Sequence, residues 1–309
     1  MKKLVKNTFA VLLAAILIVL SLTACNLPKT QSKPSSKKDI YNFESYKSND
    51  IFDIKKISLS GMLAQKCVTY KFTYMSDGNK IKAYISIPIT SIKSQKPAKC
   101  IMYNRGGNRD FGKMEDDTTA NICAFCDYIV IGSQYRGADG SDGEDQFGGK
   151  DLDDVIKLID FCQKDFKFIN MDDFCVAGVS RGGMMTYMAA KKDKRIKRII
   201  AASAVSDLFQ SYESREDMRE VLKDTIGFTP KEKPSEYKKR SAIYWYDEIK
   251  IHVLIIHSKQ DEQVSYKQAE ELYKKLKKTT DCTFVLRDDD FHGLTAKDAE
   301  TICDWLNIT

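Results

Sequence analysis

From residue 173 onward the chain alternates continuous apolar β-type runs with segments of helical period. Residues 173–179 (DFCVAGV), 196–205 (IKRIIAASAV) and 251–257 (IHVLIIH) are apolar without the in–out alternation of a half-exposed strand. Strands of that kind are buried on both faces, as in a parallel sheet covered by helices. Short apolar runs at 99–103, 127–132 and 282–287 extend the same pattern. Residues 151–168 place Leu152, Val155, Ile156, Ile159 and Phe161/Cys162 at helical spacing, and 184–191, 266–277 and 296–306 are further helix patterns. Upstream, residues 67–75 and 80–87 are β-branched and aromatic runs flanking Ser76-Asp77-Gly78-Asn79, which reads as a hairpin. The expectation is an α/β sandwich: a mostly parallel central sheet, an N-terminal antiparallel hairpin and helices on both faces. Residues 206–248 are too long for an ordinary connection, so a small helical insertion is expected before the strand at 251–257.

Chemistry enters at Gly178-Val179-Ser180-Arg181-Gly182-Gly183, between an apolar strand and a helix pattern. A G-x-S-x-G in that context is a nucleophile elbow, with Ser180 exposed above the sheet edge at a helix N-terminus. Such an elbow resembles that of the α/β-hydrolase fold, in which the acid follows the serine in the chain and the base follows the acid. Of the three histidines, His252, His257 and His292, only the last obeys that order. His292 is therefore the candidate base, with Asp261 in Ser258-Lys259-Gln260-Asp261-Glu262 as the candidate acid. The acid's task is to fix the imidazole tautomer while staying ionised. The oxyanion of a tetrahedral intermediate needs two donors. The backbone N–H of Arg181 is one candidate, and the glycine-rich loop Asn104-Arg105-Gly106-Gly107 supplies the other through the N–H of Gly106 or Gly107. Arg105, Leu208, Phe209, Tyr212 and Tyr244 are candidate substrate-pocket residues. No metal or organic cofactor is implied.

Lys2, Lys3 and Lys6 precede an unbroken apolar run at 9–20, too short for a spanning helix, which needs about 20 residues, but of the length found in secretory signals. The run ends in Leu22-Thr23-Ala24-Cys25, which resembles the lipobox of bacterial lipoproteins. That resemblance implies cleavage before Cys25, a lipid on its sulfur, and an extracytoplasmic protein anchored to the bacterial cell membrane. Residues 1–24 are then a signal peptide, 25–40 a flexible tether and 41–309 the α/β-hydrolase domain. All seven charged residues before Asp39 are lysines, so the net charge of +6 becomes −1 for residues 39–309. A near-neutral domain carries no nucleic-acid footprint. Cys123-Ala-Phe-Cys126 has redox-motif spacing but no strand-to-helix turn before it, and core packing is the expectation for the pair. The sequence sets neither oligomeric state nor disulfide pairing.

The same residues resemble the catalytic domain of the prolyl oligopeptidase family of serine peptidases over about residues 66–305. The motifs are the elbow at 178–183, Gln134-Tyr135-Arg136-Gly137, the Asp-rich segment at 149–154, Asp261 and Val264 after Ile255-Ile256-His257, and Phe291-His292-Gly293. The resemblance implies a small peptide substrate cleaved through an acyl-enzyme, with small acyl esters as the alternative and non-catalytic ligand capture as a distant third. Two departures stand out. Arg105 occupies the position before the glycines where many members carry Tyr or His, so a backbone donor is expected there. Residues 25–65 are too few for the β-propeller of the large members, so a more open site is expected.

Overall fold

A computed structural model describes residues 39–307. The stretches expected to be a signal peptide and a tether, with Cys25 between them, lie outside the described residues apart from the last two tether positions. The strands are β1 Ile51–Ile57, β2 Cys67–Ser76, β3 Asn79–Pro88, β4 Cys100–Asn104, β5 Ile129–Ser133, β6 Cys175–Val179, β7 Arg198–Ala202, β8 His252–Ser258 and β9 Cys282–Arg287. The helices are α1 Gly61–Lys66, α2 Ile89–Ser94, α3 Thr118–Cys126, α4 Asp151–Lys164, α5 Arg181–Lys192, α6 Leu208–Ser214, α7 Glu216–Ile226, α8 Pro234–Arg240, α9 Tyr266–Leu276 and α10 Ala296–Asn307. One sheet has the order β1-β2-β3-β5-β4-β6-β7-β8-β9. The β1–β2, β2–β3 and β3–β5 pairs are antiparallel and the remaining pairs parallel. This is the expected architecture, helical insertion included.

The apolar runs are explained by which face each residue serves. Cys100, Met102, Val176, Ile199, Val253 and Ile255 join the core beneath α4, α5 and α9. Their neighbours Ile101, Cys175, Ile200, Leu254 and Ile256 join the core beneath α3 and α10. Side chains still alternate with period two, but both faces are covered, so both sets are apolar. The sequence pattern does not reveal β1. It is an edge strand with a bulge between Phe52 and Lys55, where Asp53 takes φ 52°, and its exposed lysines hide the alternation.

Parallel register places the active edge. Asn104 aligns with Gly178, Val179 with Ala202, Ala202 with Ile256, and Ser258 with Arg287. The loops leaving β4, β6, β7, β8 and β9 therefore open at one end of the sheet. Ligand sites of open α/β sheets lie at the carboxyl ends of the strands.

Candidate active site

Ser180 stands between β6 and α5 with φ 58° and ψ −123°, a region a non-glycine residue enters only at a cost of order 1–3 kcal/mol. Close packing explains the flanking glycines. A Cβ on Gly178 would lie 2.2 Å from the Gly182 carbonyl oxygen, one on Gly182 2.0 Å from the Asn104 carbonyl oxygen, and one on Gly183 2.3 Å from the Ala204 Cβ. The elbow is thus wedged between β4 and β7.

His292 arrives on the loop between β9 and α10. Its Nδ1 lies 2.8 Å from Asp261 Oδ2 and 3.0 Å from Oδ1. An ionised carboxylate only accepts, so Nδ1 carries the proton and Nε2 keeps its lone pair. The loop is pinned beside the elbow. The Gly293 N–H donates to Ser203 Oγ at 3.0 Å, and a Cβ on Gly293 would lie 3.6 Å from Val179 Cγ1. No hydrogen bond joins Ser180 Oγ to His292 among the described residues. Catalytic hydrogen bonds of unliganded sites are often long and tighten when substrate binds.

Asp261 is fixed from several directions. Its Oδ1 accepts from the backbone N–H groups of Gln263 (2.9 Å) and Val264 (3.0 Å). Buried His257 sits behind it, Nε2 2.8 Å from the Val264 carbonyl oxygen and 3.4 Å from Asp261 Oδ2. Both neighbours of Nε2 are acceptors, so that nitrogen carries the proton. Burial alone would raise the Asp261 carboxyl. Hydrogen bonds from His257 and His292, the positive charge His292 carries when protonated and the Val264 N–H outweigh it and hold the group well below the usual carboxylate range. Asp261 supports the base in its ionised form even in mild acid. Chain order alone excludes His257 as the base and gives it no other role. Its position on the strand that feeds the acid loop was the one available signal.

The loop after β4 presses on the nucleophile. A Cβ on Gly106 would lie 3.1 Å from the Val179 carbonyl oxygen and 3.4 Å from Ser180 Cβ. Gly107 has φ +68°, and a Cβ there would lie 2.0 Å from the Phe111 carbonyl oxygen. No acceptor takes the N–H of Gly106 or Gly107 among the described residues. Both face the requirement for a second oxyanion donor with an uncommitted N–H.

Arg105 is not a pocket residue. It is 1% exposed, and its guanidinium turns inward to donate to the carbonyls of Gln134 (3.0 Å), Gly106 (3.1 Å) and Arg109 (2.8 Å). A long cationic side chain is normally read as a surface or ligand group, but here it ties the loop to its own backbone. Burial, and then the nearby Arg181 charge, push it down to about 10. Leu208 is likewise core, 1% exposed, because α6 lays it under the insertion. Phe209 and Tyr212 are half-buried around Tyr237, at ring distances of 5.6 and 5.9 Å. Tyr244, 49% exposed, meets Phe209 at 5.7 Å. The insertion reaches the acid loop through Arg215, whose Nη1 donates to the Gln263 carbonyl at 3.0 Å.

The sequence reading treated Arg181 only as a backbone donor. Its buried side chain is a clamp. Nη1 donates to Asp145 Oδ2 at 2.6 Å and to the Gly107 carbonyl at 3.0 Å, and Nη2 donates to Asp151. The guanidinium lies 4.7 Å from the Phe147 ring centroid. One side chain thereby joins the elbow, the oxyanion loop and the start of α4. Burial would raise Asp145, but the Arg181 charge and hydrogen bond bring it below its ordinary range.

Fold and site together define a serine hydrolase of the α/β-hydrolase type. Residues 115–306 match the prolyl oligopeptidase family, and the chain belongs to it. It is 29% identical over 211 residues to a Bacillus subtilis protein named uncharacterized peptidase YtmA, covering 67% of this chain and 79% of that one. It is 28% identical over 123 residues to dipeptidyl-peptidase 5 of Aspergillus oryzae, covering 37% of this chain and 17% of that one. The fold superposes on Pyrococcus horikoshii acylaminoacyl peptidase with TM-score 0.65 at 19% identity, covering 82% of this chain and 43% of that one. It superposes on acetyl xylan esterase 1 of Thermoanaerobacterium with TM-score 0.62 at 15% identity, covering 87% and 90%. The chain thus spans less than half of the archaeal peptidase but most of YtmA and of the esterase.

Proposed function

We propose that this chain hydrolyses amide bonds of short peptides through an acyl-enzyme on Ser180. The observation that carries the reading is the two-oxygen contact of Asp261 with His292 Nδ1, which leaves Nε2 with a free lone pair on a loop whose Gly293 packs against Val179, the residue before the strained serine. His292 takes the Ser180 proton as Oγ attacks the carbonyl carbon. The oxyanion is met by the N–H groups of Arg181 and of Gly106 or Gly107. The intermediate collapses, the C–N bond breaks and His292 returns its proton to the departing amine. Water, deprotonated by the same imidazole, then attacks the acyl-serine and frees the acid. The peptidase names of the sequence relatives support an amide as the scissile bond. Cleavage of small acyl esters is the second reading, supported by the acetyl xylan esterase, 90% of whose length superposes on this chain. Parallel turnover of an aminoacyl p-nitroanilide and p-nitrophenyl acetate separates them. A kcat/KM for the amide at or above that for the ester is the expected result. Turnover of the ester with none of the amide overturns the peptidase assignment.

We further propose that the enzyme is lipid-anchored at Cys25 on the outer side of a bacterial cell membrane. The lipobox resemblance and the polar, lysine-containing stretch after it support this. Expressed in a bacterium fed an alkyne fatty acid, the wild-type chain is expected to carry the label and sediment with membranes, and Cys25→Ser to lose both. An unlabelled, soluble wild type would sink the anchor and leave the hydrolase reading intact.

A further inference from the structure

The cysteines do not pair as their spacing suggests. Cys123 is buried, at 1% exposure, while Cys67 Sγ on β2 donates to the Ala120 carbonyl of the same helix at 3.8 Å. Cys126 ends α3, and its Sγ lies 3.7 Å from Sγ of Cys303 on α10. Cys303 Sγ also faces the Phe125 carbonyl oxygen at 3.7 Å, so it is aimed at the C-terminal end of α3. Both residues are partly exposed free thiols, within reach of a solute.

We propose that Cys126 and Cys303 are a disulfide-forming pair that fastens α10 to α3. The sulfurs are in van der Waals contact and need to approach by only about 1.7 Å to reach bonding distance. The reaction is thiol–disulfide exchange with a low-molecular-weight disulfide. One cysteine thiolate attacks a sulfur of the oxidant, forming a mixed disulfide and releasing one thiol. The other thiolate attacks the protein sulfur of that mixed disulfide and releases the second thiol. Two protein thiols are oxidised, one disulfide oxidant is reduced to two thiols, and the two protons go to those thiols.

The bond bears on the active edge because α10 begins at Ala296, four residues after His292. Apart from Asp298 at its start, α10 is held by the buried side chains of Ile302 and Leu306 and by Tyr128 and Arg198 donating to the Leu306 carbonyl. A covalent link in its third turn restrains the helix that carries the base loop. It also closes a separation of 177 residues, and long loops gain the most from closure in the chain-entropy view.

The full chain, incubated with oxidised glutathione, alkylated and digested without reductant, tests this directly. A peptide pair linking Cys126 to Cys303 is expected, lost on reduction and lost in Cys303→Ser. The oxidised wild type is expected to melt about 5–10 °C above the reduced one. Cys126→Ser and Cys303→Ser are expected to melt at one temperature whether or not oxidant is added. Alkylation of both thiols after oxidation, or a Cys123–Cys126 linkage, overturns the pairing. A linked pair with unchanged melting overturns the fastening of α10. Peptide mass reads the bond independently of turnover, so failure of the peptidase reading leaves this result standing.

Discussion

Ser180→Ala is expected to lower kcat by about 10⁵–10⁶-fold while leaving the fold intact. Removing the hydroxyl removes the only atom that bonds to the acyl group. What survives is the transition-state binding supplied by the donors at Arg181 and the glycine loop. The substitution deletes one exposed-edge oxygen and no packing atom, and alanine can hold the backbone φ of 58° already imposed by the surrounding glycines and strands. Melting should therefore stay within about 1 °C of wild type. A fluorophosphonate probe is expected to label wild type and not the variant. His292→Ala should cost a similar factor, and the double variant little more than either alone, because the residues act as one unit. If Ser180→Ala keeps even a tenth of wild-type turnover, or if wild type fails to take the probe, the nucleophile assignment falls.

How much of this was legible beforehand follows from how local each determinant is. The elbow is written in five adjacent residues because its steric constraint acts between atoms of neighbouring turns: Gly178 against Gly182, and Gly182 against β4. The order of Ser180, Asp261 and His292 is a property of chain connectivity, so it too survives in one dimension. Burial of polar groups does not. Asp145 and Asp151 look like ordinary solvated carboxylates, and nothing in their immediate neighbours reveals that they close on Arg181 in the interior. Leu208 was misplaced for the same reason. Its helix is amphipathic, and only the packed insertion decides which side is core. The role of His257 behind Asp261 depends on a turn that brings the residue four positions later back onto the strand end.

The clamp on Arg181 leads to the second large effect, on stability. Asp151→Ala is expected to lower the melting temperature by about 10 °C. Arg181 and Asp151 are buried, and the same cluster holds Arg105 and Asp145. Two guanidiniums are now balanced by two carboxylates. Removing Asp151 leaves two buried cations facing one anion. Breaking a buried pair from one side costs about 3–5 kcal/mol, and each kcal/mol lowers the melting point of a domain this size by about 2–4 °C. Asp153→Ala, on the same helix, is the control. Its pair with Lys192 is 39% and 47% exposed, so its loss should cost under about 1 kcal/mol. The acid limb of stability carries the same signature. Asp145 and Asp261 are held below their unfolded pKa, so each contributes stability that is fully present above about pH 4 and drains away as pH falls through the native value. Asp145→Asn should therefore lose stability at pH 7 yet show a shallower decline of melting temperature between about pH 4 and 2. Equal melting of Asp151→Ala and Asp153→Ala would show that Arg181 does not need its carboxylates. The elbow would then be held by its glycines alone, and the oxyanion loop would owe nothing to the side chain that reaches Gly107.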